Sequence, residues 1–122
     1  MSVSMTHAHP GAELAQLSIG SLVWMASAQP VLDEAAEDEL IHLARDGDRR
    51  ALEQLAVGNL RVVIDEAIRA RGLGLPQSKL VRTGVGALLD AVRYYDPAVH
   101  GRFSSHVRYR VRHALRDTIS VS

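Results

Sequence analysis

From residue 31 onward, apolar side chains recur every three or four positions, which is the period of a helix with one buried face. Asp33 is placed to cap a first such helix whose opening turn is acidic, matching the positive end of the helix dipole. Leu40, Leu43 and Ala44 supply its apolar stripe, and Gly47 is placed to end it. Asp48 then caps a second helix through Leu52, Leu55, Ala56, Leu60, Val63, Ala67 and Ile68, with Arg69 and Arg71 in its last turn and Gly72 as the stop. The linker Gly72-Leu73-Gly74-Leu75-Pro76 cannot stay helical. A third helix follows with Leu80, Val81, Val85, Leu88, Leu89 and Val92 on one face. Gly84 and Gly86 inside it each cost about 1 kcal/mol relative to alanine, which points to a close helix contact. Asp96-Pro97 ends that helix and Gly101 marks the loop. Ser104 or Ser105 caps a last helix, packed through Val107, Val111, Ala114 and Leu115. No stretch alternates apolar and polar residues as a strand would. The pattern predicts an all-α fold, a compact bundle of four to five helices.

Residues 1–30 read differently. His7, His9 and Pro10 precede a Ser/Ala/Gly-rich run that closes at Pro30, with room for a short helix over Leu14 to Met25 that leaves Leu14, Leu17, Leu22 and Trp24 partly exposed. We expect a flexible segment at 1–30, outside the core, and one helical domain at 31–122. Ala26-Ser27-Ala28 has the form of a signal-peptidase site, but no Lys or Arg precedes the apolar run, so secretion is not expected.

Composition narrows the class. The chain has 122 residues, is 47% hydrophobic and contains no cysteine, which fits one domain and excludes disulfide scaffolds and thiolate zinc sites. No apolar run is long enough for a membrane span, and a cytoplasmic location is expected. The net charge of zero hides an asymmetry: residues 1–60 carry nine acids against three bases, and residues 61–122 carry eleven bases against five acids. From residue 102 onward Arg102, Arg108, Arg110, Arg112 and Arg116 are opposed only by Asp117. Such a basic element suits a polyanionic partner for one face. A solvated arginine-rich helix face accounts for the same residues without any partner.

Five sequence blocks then fall in order: Asn59-Leu60-Arg61; Gly72-Leu73-Gly74-Leu75-Pro76; Gly84-Val85-Gly86-Ala87-Leu88-Leu89-Asp90-Ala91-Val92; Tyr95-Asp96-Pro97 with Arg102-Phe103-Ser104-Ser105; and Tyr109-Arg110-Val111-Arg112-His113-Ala114-Leu115. Together, over about residues 33–119, they resemble region 2 of bacterial RNA polymerase sigma factors, with the acidic helix similar to the short segment before it. The ending is closest to the flagellar and sporulation type. The resemblance implies two partners, promoter DNA of the −10 type, opened to single strands, and the RNA polymerase core. It implies no cofactor.

In the last helix Arg108, Arg112 and Arg116 are spaced i, i+4, i+8 and form one basic ridge, with Tyr109 and His113 beside it. Cations next to aromatic faces suit a phosphate backbone with adjacent bases. The expected DNA-binding set is Arg102, Phe103, Arg108, Tyr109, Arg110, Arg112, His113 and Arg116. By the resemblance, Leu60, Lys79, Leu80, Arg82, Thr83, Val85 and Leu89 would meet the polymerase.

The chain also departs from the family. Tyr109 and Arg110 occupy the two positions where housekeeping members carry adjacent tryptophans, and His106 stands at a tyrosine base-pocket position. Where the family's docking stretch reads Asp-Leu-Ile-Gln-Glu-Gly, this chain has Lys79-Leu80-Val81-Arg82-Thr83-Gly84. That exchange turns an acidic docking surface cationic and works against a basic partner. The family's later domains do not occur within these residues. A rival reading is therefore an interaction module that binds polymerase, an anti-sigma protein or another regulator without melting DNA. His106 and His113 lack a third ligand at chelating spacing, so no metal is expected. Asp65-Glu66 and Asp33-Glu34 read as helix-surface charge, and no nucleophile–base pair or isolated carboxylate dyad argues for an enzyme.

Overall fold

In the computed structural model, which describes residues 14, 16–30 and 32–121, the chain folds into seven helical segments and, among those residues, no strand. These are α1 (Ile19–Ala28), α2 (Glu34–Arg45), α3 (Arg49–Gly58), α4 (Leu60–Arg69), α5 (Gln77–Tyr94), the single turn α6 (Pro97–His100) and α7 (Phe103–Ser120). The all-α architecture agrees with the apolar spacing. None of these helices is long and apolar enough to cross a membrane.

Local chemistry sets several boundaries as expected. The Asp33 carboxylate accepts from the Ala36 amide at 2.8 Å and Asp48 from the Ala51 amide at 3.2 Å, satisfying orphan donors of α2 and α3. Gly47 and Gly72, just beyond helix ends, take φ values of 96° and 88°, a region open to glycine at no steric cost.

Three features differ from the sequence expectation. The helix expected over 48–71 is two: the backbone turns at Asn59, whose side-chain amide donates to the Leu55 carbonyl at 2.9 Å. Leu32 lies so close to Gly58 that a Cβ there would sit 2.5 Å from its Cδ1. The last helix begins at Phe103, before the serines expected to cap it, and the Ser104 amide donates instead to the carboxylate of Glu37 on α2. Thirdly, Leu14 and α1, both in the segment expected outside the core, contribute to it. Leu22 is 1% exposed and Leu14 and Ala26 are buried, because α1 lies across α3 and α4. Trp24 is exposed, as expected. Residues 1–13 and 15 of that segment lie outside the described residues.

The centre of the bundle is the three-way packing of α4, α5 and α7. Leu60, Val63, Leu80, Val85, Leu88, Val107 and Val111 are sealed from solvent there. Gly84 makes this possible: its missing side chain leaves room for Val63 of α4 and Val111 of α7. Gly86 faces open space, so only one of the two glycines marks a close contact.

Candidate nucleic-acid and polymerase interfaces

Burial of Phe103, His106, Val107, Val111 and Leu115 orients α7, and its other positions divide into two flanks and a crest. Arg108 and Arg112 occupy the flank towards α4. There they meet Glu66, which is only 3% exposed. Arg108 Nη1 donates to Glu66 Oε2, Arg112 Nε to Oε1 and Arg112 Nη2 to Oε2, each at 3.0 Å. Arg69 Nε stands 3.9 Å away. The Arg112 hydrogen bonds, joined by those from Arg108, hold the Glu66 carboxyl below its usual range despite burial. Glu66 is therefore a buried anchor between α4 and α7, which corrects its reading as surface charge. A lone buried carboxylate would be costly, and the guanidinium groups are what let it stay ionised.

A second buried acid repeats the arrangement at the start of α7. Glu37 accepts from Arg102 Nε at 3.2 Å and from the Ser104 amide. Burial outweighs these bonds and pushes the Glu37 carboxyl up. Arg102 also donates to the Leu32 carbonyl at 3.4 Å. Phe103 is 2% exposed and meets Tyr95 edge-to-face at 5.0 Å. Phe103 thus anchors the helix start from within the core.

On the crest, Tyr109 is 60% exposed and its ring centroid lies 4.4 Å from that of exposed His113. Arg110 sits on the flank towards α5, in a groove of about 510 Å³ lined by Thr83, Gly86 and Asp90 of α5 and Tyr109, His113 and Asp117 of α7. Arg116 is exposed one turn beyond Arg112. The sequence-predicted residues are thus distributed: Tyr109, His113 and Arg116 share an open face, Arg108 and Arg112 border it while tied to Glu66, and Arg110 borders it on the α5 side, in the groove that Tyr109 and His113 also line.

His106, the base-pocket candidate, is buried, with Nε2 finding no hydrogen-bond partner among the described residues. Its ring stacks on His100 at 4.0 Å, and Tyr95 lies 5.6 Å off. The Asp96 amide donates to His100 Nδ1 at 2.9 Å, and the Tyr95 hydroxyl donates to the Gly101 carbonyl. Burial, then His100, holds the His106 pKa below the usual imidazole value.

Of the residues expected to meet a polymerase, Leu60, Leu80 and Val85 are fully buried. They shape the surface from beneath. Lys79 and Arg82 are exposed on α5, and Thr83 is half-buried at the edge of the α5–α7 groove. Leu89 instead lines an apolar cleft of about 330 Å³ with Ile41, Leu52 and Val92, bordered by Arg45 and Arg93. Sequence reasoning missed Glu37, Glu66 and Arg69. The available signal was that each acid falls on an apolar stripe: Glu37 precedes Ile41 by four residues and Glu66 follows Val63 by three.

Fold and site together define an all-α bundle whose last helix pairs a cationic flank with an exposed aromatic crest. No protein-family model matches the chain. It is 32% identical over 91 residues to the RNA polymerase sigma factor RpoS of Coxiella burnetii, covering 75% of this chain and 26% of that protein. It is likewise 32% identical over 91 residues to the RNA polymerase sigma factor SigA of Clostridium acetobutylicum, covering 75% and 24%. With the RNA polymerase sigma-C factor of Myxococcus xanthus the identity is 33% over 90 residues, covering 74% and 30%. The chain contains a sigma factor-like region, and it spans about a quarter to a third of the length of these relatives.

Proposed function

We propose that this chain is a transcription protein of the sigma factor type, equivalent to region 2, that engages −10-type promoter DNA through α7 and docks on RNA polymerase core through α5. The observation that carries the reading is the coincidence of two independent features. The chain is similar to sigma factors over 75% of its length, and its last helix presents Tyr109, His113 and Arg116 together on an open face. Tyr109 and His113 offer stacking surfaces for unpaired bases, while Arg116 and the outer edges of Arg108 and Arg112 follow the phosphates. The relevant protein chemistry is binding, with no covalent step assigned to any residue.

The test is fluorescence anisotropy on −10-like bubble and duplex DNA across a salt series, with and without core polymerase. Arg116→Ala should flatten the log-log salt dependence by roughly 0.7 on single strands and weaken all sequences alike. Tyr109→Ala should cost about 1–3 kcal/mol of stacking, mostly on bubble DNA. Absence of binding in both arms refutes the reading.

A second reading rests on Lys79 and Arg82, both exposed on α5. Their cationic surface suits an acidic protein, so a regulator without DNA melting is the alternative. Polymerase or regulator capture with no bubble binding would select it.

A further inference from the structure

The arginines around Glu66 form more than a tie between helices. Three guanidinium groups, those of Arg112, Arg108 and Arg69, surround one carboxylate. Both Glu66 oxygens are already occupied by Arg108 and Arg112, so the cluster retains an excess of positive charge. An arginine carries five N–H donors in a rigid fork. Arg112 spends donors from Nε and Nη2 on Glu66 and keeps the rest, while the Arg69 side chain is 71% exposed. The Arg116 side chain, one turn further along α7, is exposed and makes no ion pair among the described residues. Arg69, Arg112 and Arg116 all line one depression of about 310 Å³ between α4 and α7, where Glu66 is the sole acid among the described residues and Leu73, Leu115 and Ile119 form an apolar wall.

Arginine forks match phosphate oxygens geometrically, and an apolar wall beside them suits the sugar or base attached to a phosphate. We propose that this depression is a seat for a phosphate ester, in which Arg69, Arg112 and Arg116 share the phosphate oxygens and Glu66 is a positioning residue that fixes the plane of the Arg112 guanidinium. Insofar as the ester is a link of a nucleic-acid backbone, the proposal rests on the DNA reading above. It adds a contact from α4 and a role for a buried acid that the ridge on α7 does not contain.

The two parts give opposite signs from simple expectation. Removing a negative charge beside an anion site strengthens anion binding if charge alone matters. If Glu66 positions Arg112, Glu66→Gln weakens it. The experiment uses the full chain, with a labelled oligo-thymidylate strand followed by anisotropy, and thymidine monophosphate followed by NMR of the arginine Nε–H signals. Arg69→Ala should weaken the strand about tenfold, the loss of one charge-assisted hydrogen bond, and lower the salt slope by roughly 0.7. Arg50→Ala on α3 makes the same change of net charge away from the seat and should do neither. Glu66→Gln should lower affinity despite its added positive charge, with far-UV circular dichroism confirming the fold. Should that variant not fold, Arg69→Ala decides alone, because its side chain lies outside the core. Monophosphate should shift the Arg69 and Arg112 signals of the wild-type chain. Monophosphate shifts without strand binding would keep the seat and refute the DNA reading. Strand binding that is indifferent to Arg69→Ala, or strengthened by Glu66→Gln, would overturn the seat and leave the DNA reading standing. No signal shift and no strand binding would overturn both.

Discussion

The same substitution at two glycines of α5 should have opposite effects on stability. At Gly84 an added methyl would stand 2.7 Å from Val63 Cγ1 and 3.5 Å from Val111 Cγ1. Val63 is fully buried, and its β-branched side chain has one favoured χ1 in a helix, so it cannot swing aside. Overpacking of this kind costs about 1–3 kcal/mol, against a gain of about 1 kcal/mol in helix propensity. Gly84→Ala should therefore be net destabilising, by about 1 kcal/mol. At Gly86 a methyl meets nothing within 4 Å, so Gly86→Ala should gain about 1 kcal/mol unopposed. Urea unfolding followed by circular dichroism reads both, and each kilocalorie corresponds to a melting shift of roughly 4 °C in a domain of this size. Val63→Ala removes the methyl that clashes, so the double variant Val63→Ala/Gly84→Ala should show favourable coupling of about 0.5–3 kcal/mol. Equal stabilisation by the two alanines, or additivity in the double variant, would refute the three-way packing at Gly84.

Three further outcomes follow from particular residues. Lys79→Asp with Arg82→Gln should strengthen capture of core polymerase in a pull-down if the docking partner is basic; weaker capture would point to an acidic partner. Leu22→Ala should cost about 2–5 kcal/mol in urea unfolding because Leu22 is sealed in the core, whereas a loosely attached α1 would leave stability unchanged. His106 has a folded pKa depressed by burial, so the unfolded chain binds its proton more readily; this contribution is present above the unfolded value near 6.5 and is lost as pH falls below it. A pH series should show that loss in the wild type, and His106→Leu should flatten it.

Much of the fold was legible because helical spacing and end signals agree: Asp33, Asp48, Gly47 and Gly72 all stand where the backbone uses them. The break at Asn59 was hidden because the apolar spacing Leu55, Ala56, Leu60, Val63 runs straight through it. The Asn59 side-chain bond to Leu55 and Leu32, lodged against Gly58 from elsewhere in the chain, mark the site once the chain is folded. The ridge of Arg108, Arg112 and Arg116 was legible for the same reason that the helix was, since spacing alone sets it. What occupies those arginines was not, because Glu66 lies 42 to 46 residues earlier. Charge counted by segment was misleading in one specific way. The acidic and basic halves read as separate, yet folding joins Glu37 of the first half to Arg102 of the second at 3.2 Å. Three of the arginines between 102 and 116 are thereby engaged by two buried acids. Around Glu66 the cations left for a partner are Arg116 and Arg69, together with the outer edges of Arg108 and Arg112. An acid inside an apolar stripe is the sign to read in such a chain: it has to be paired, and its partner is drawn from the very cations that a ridge on the helical wheel would otherwise assign to the ligand.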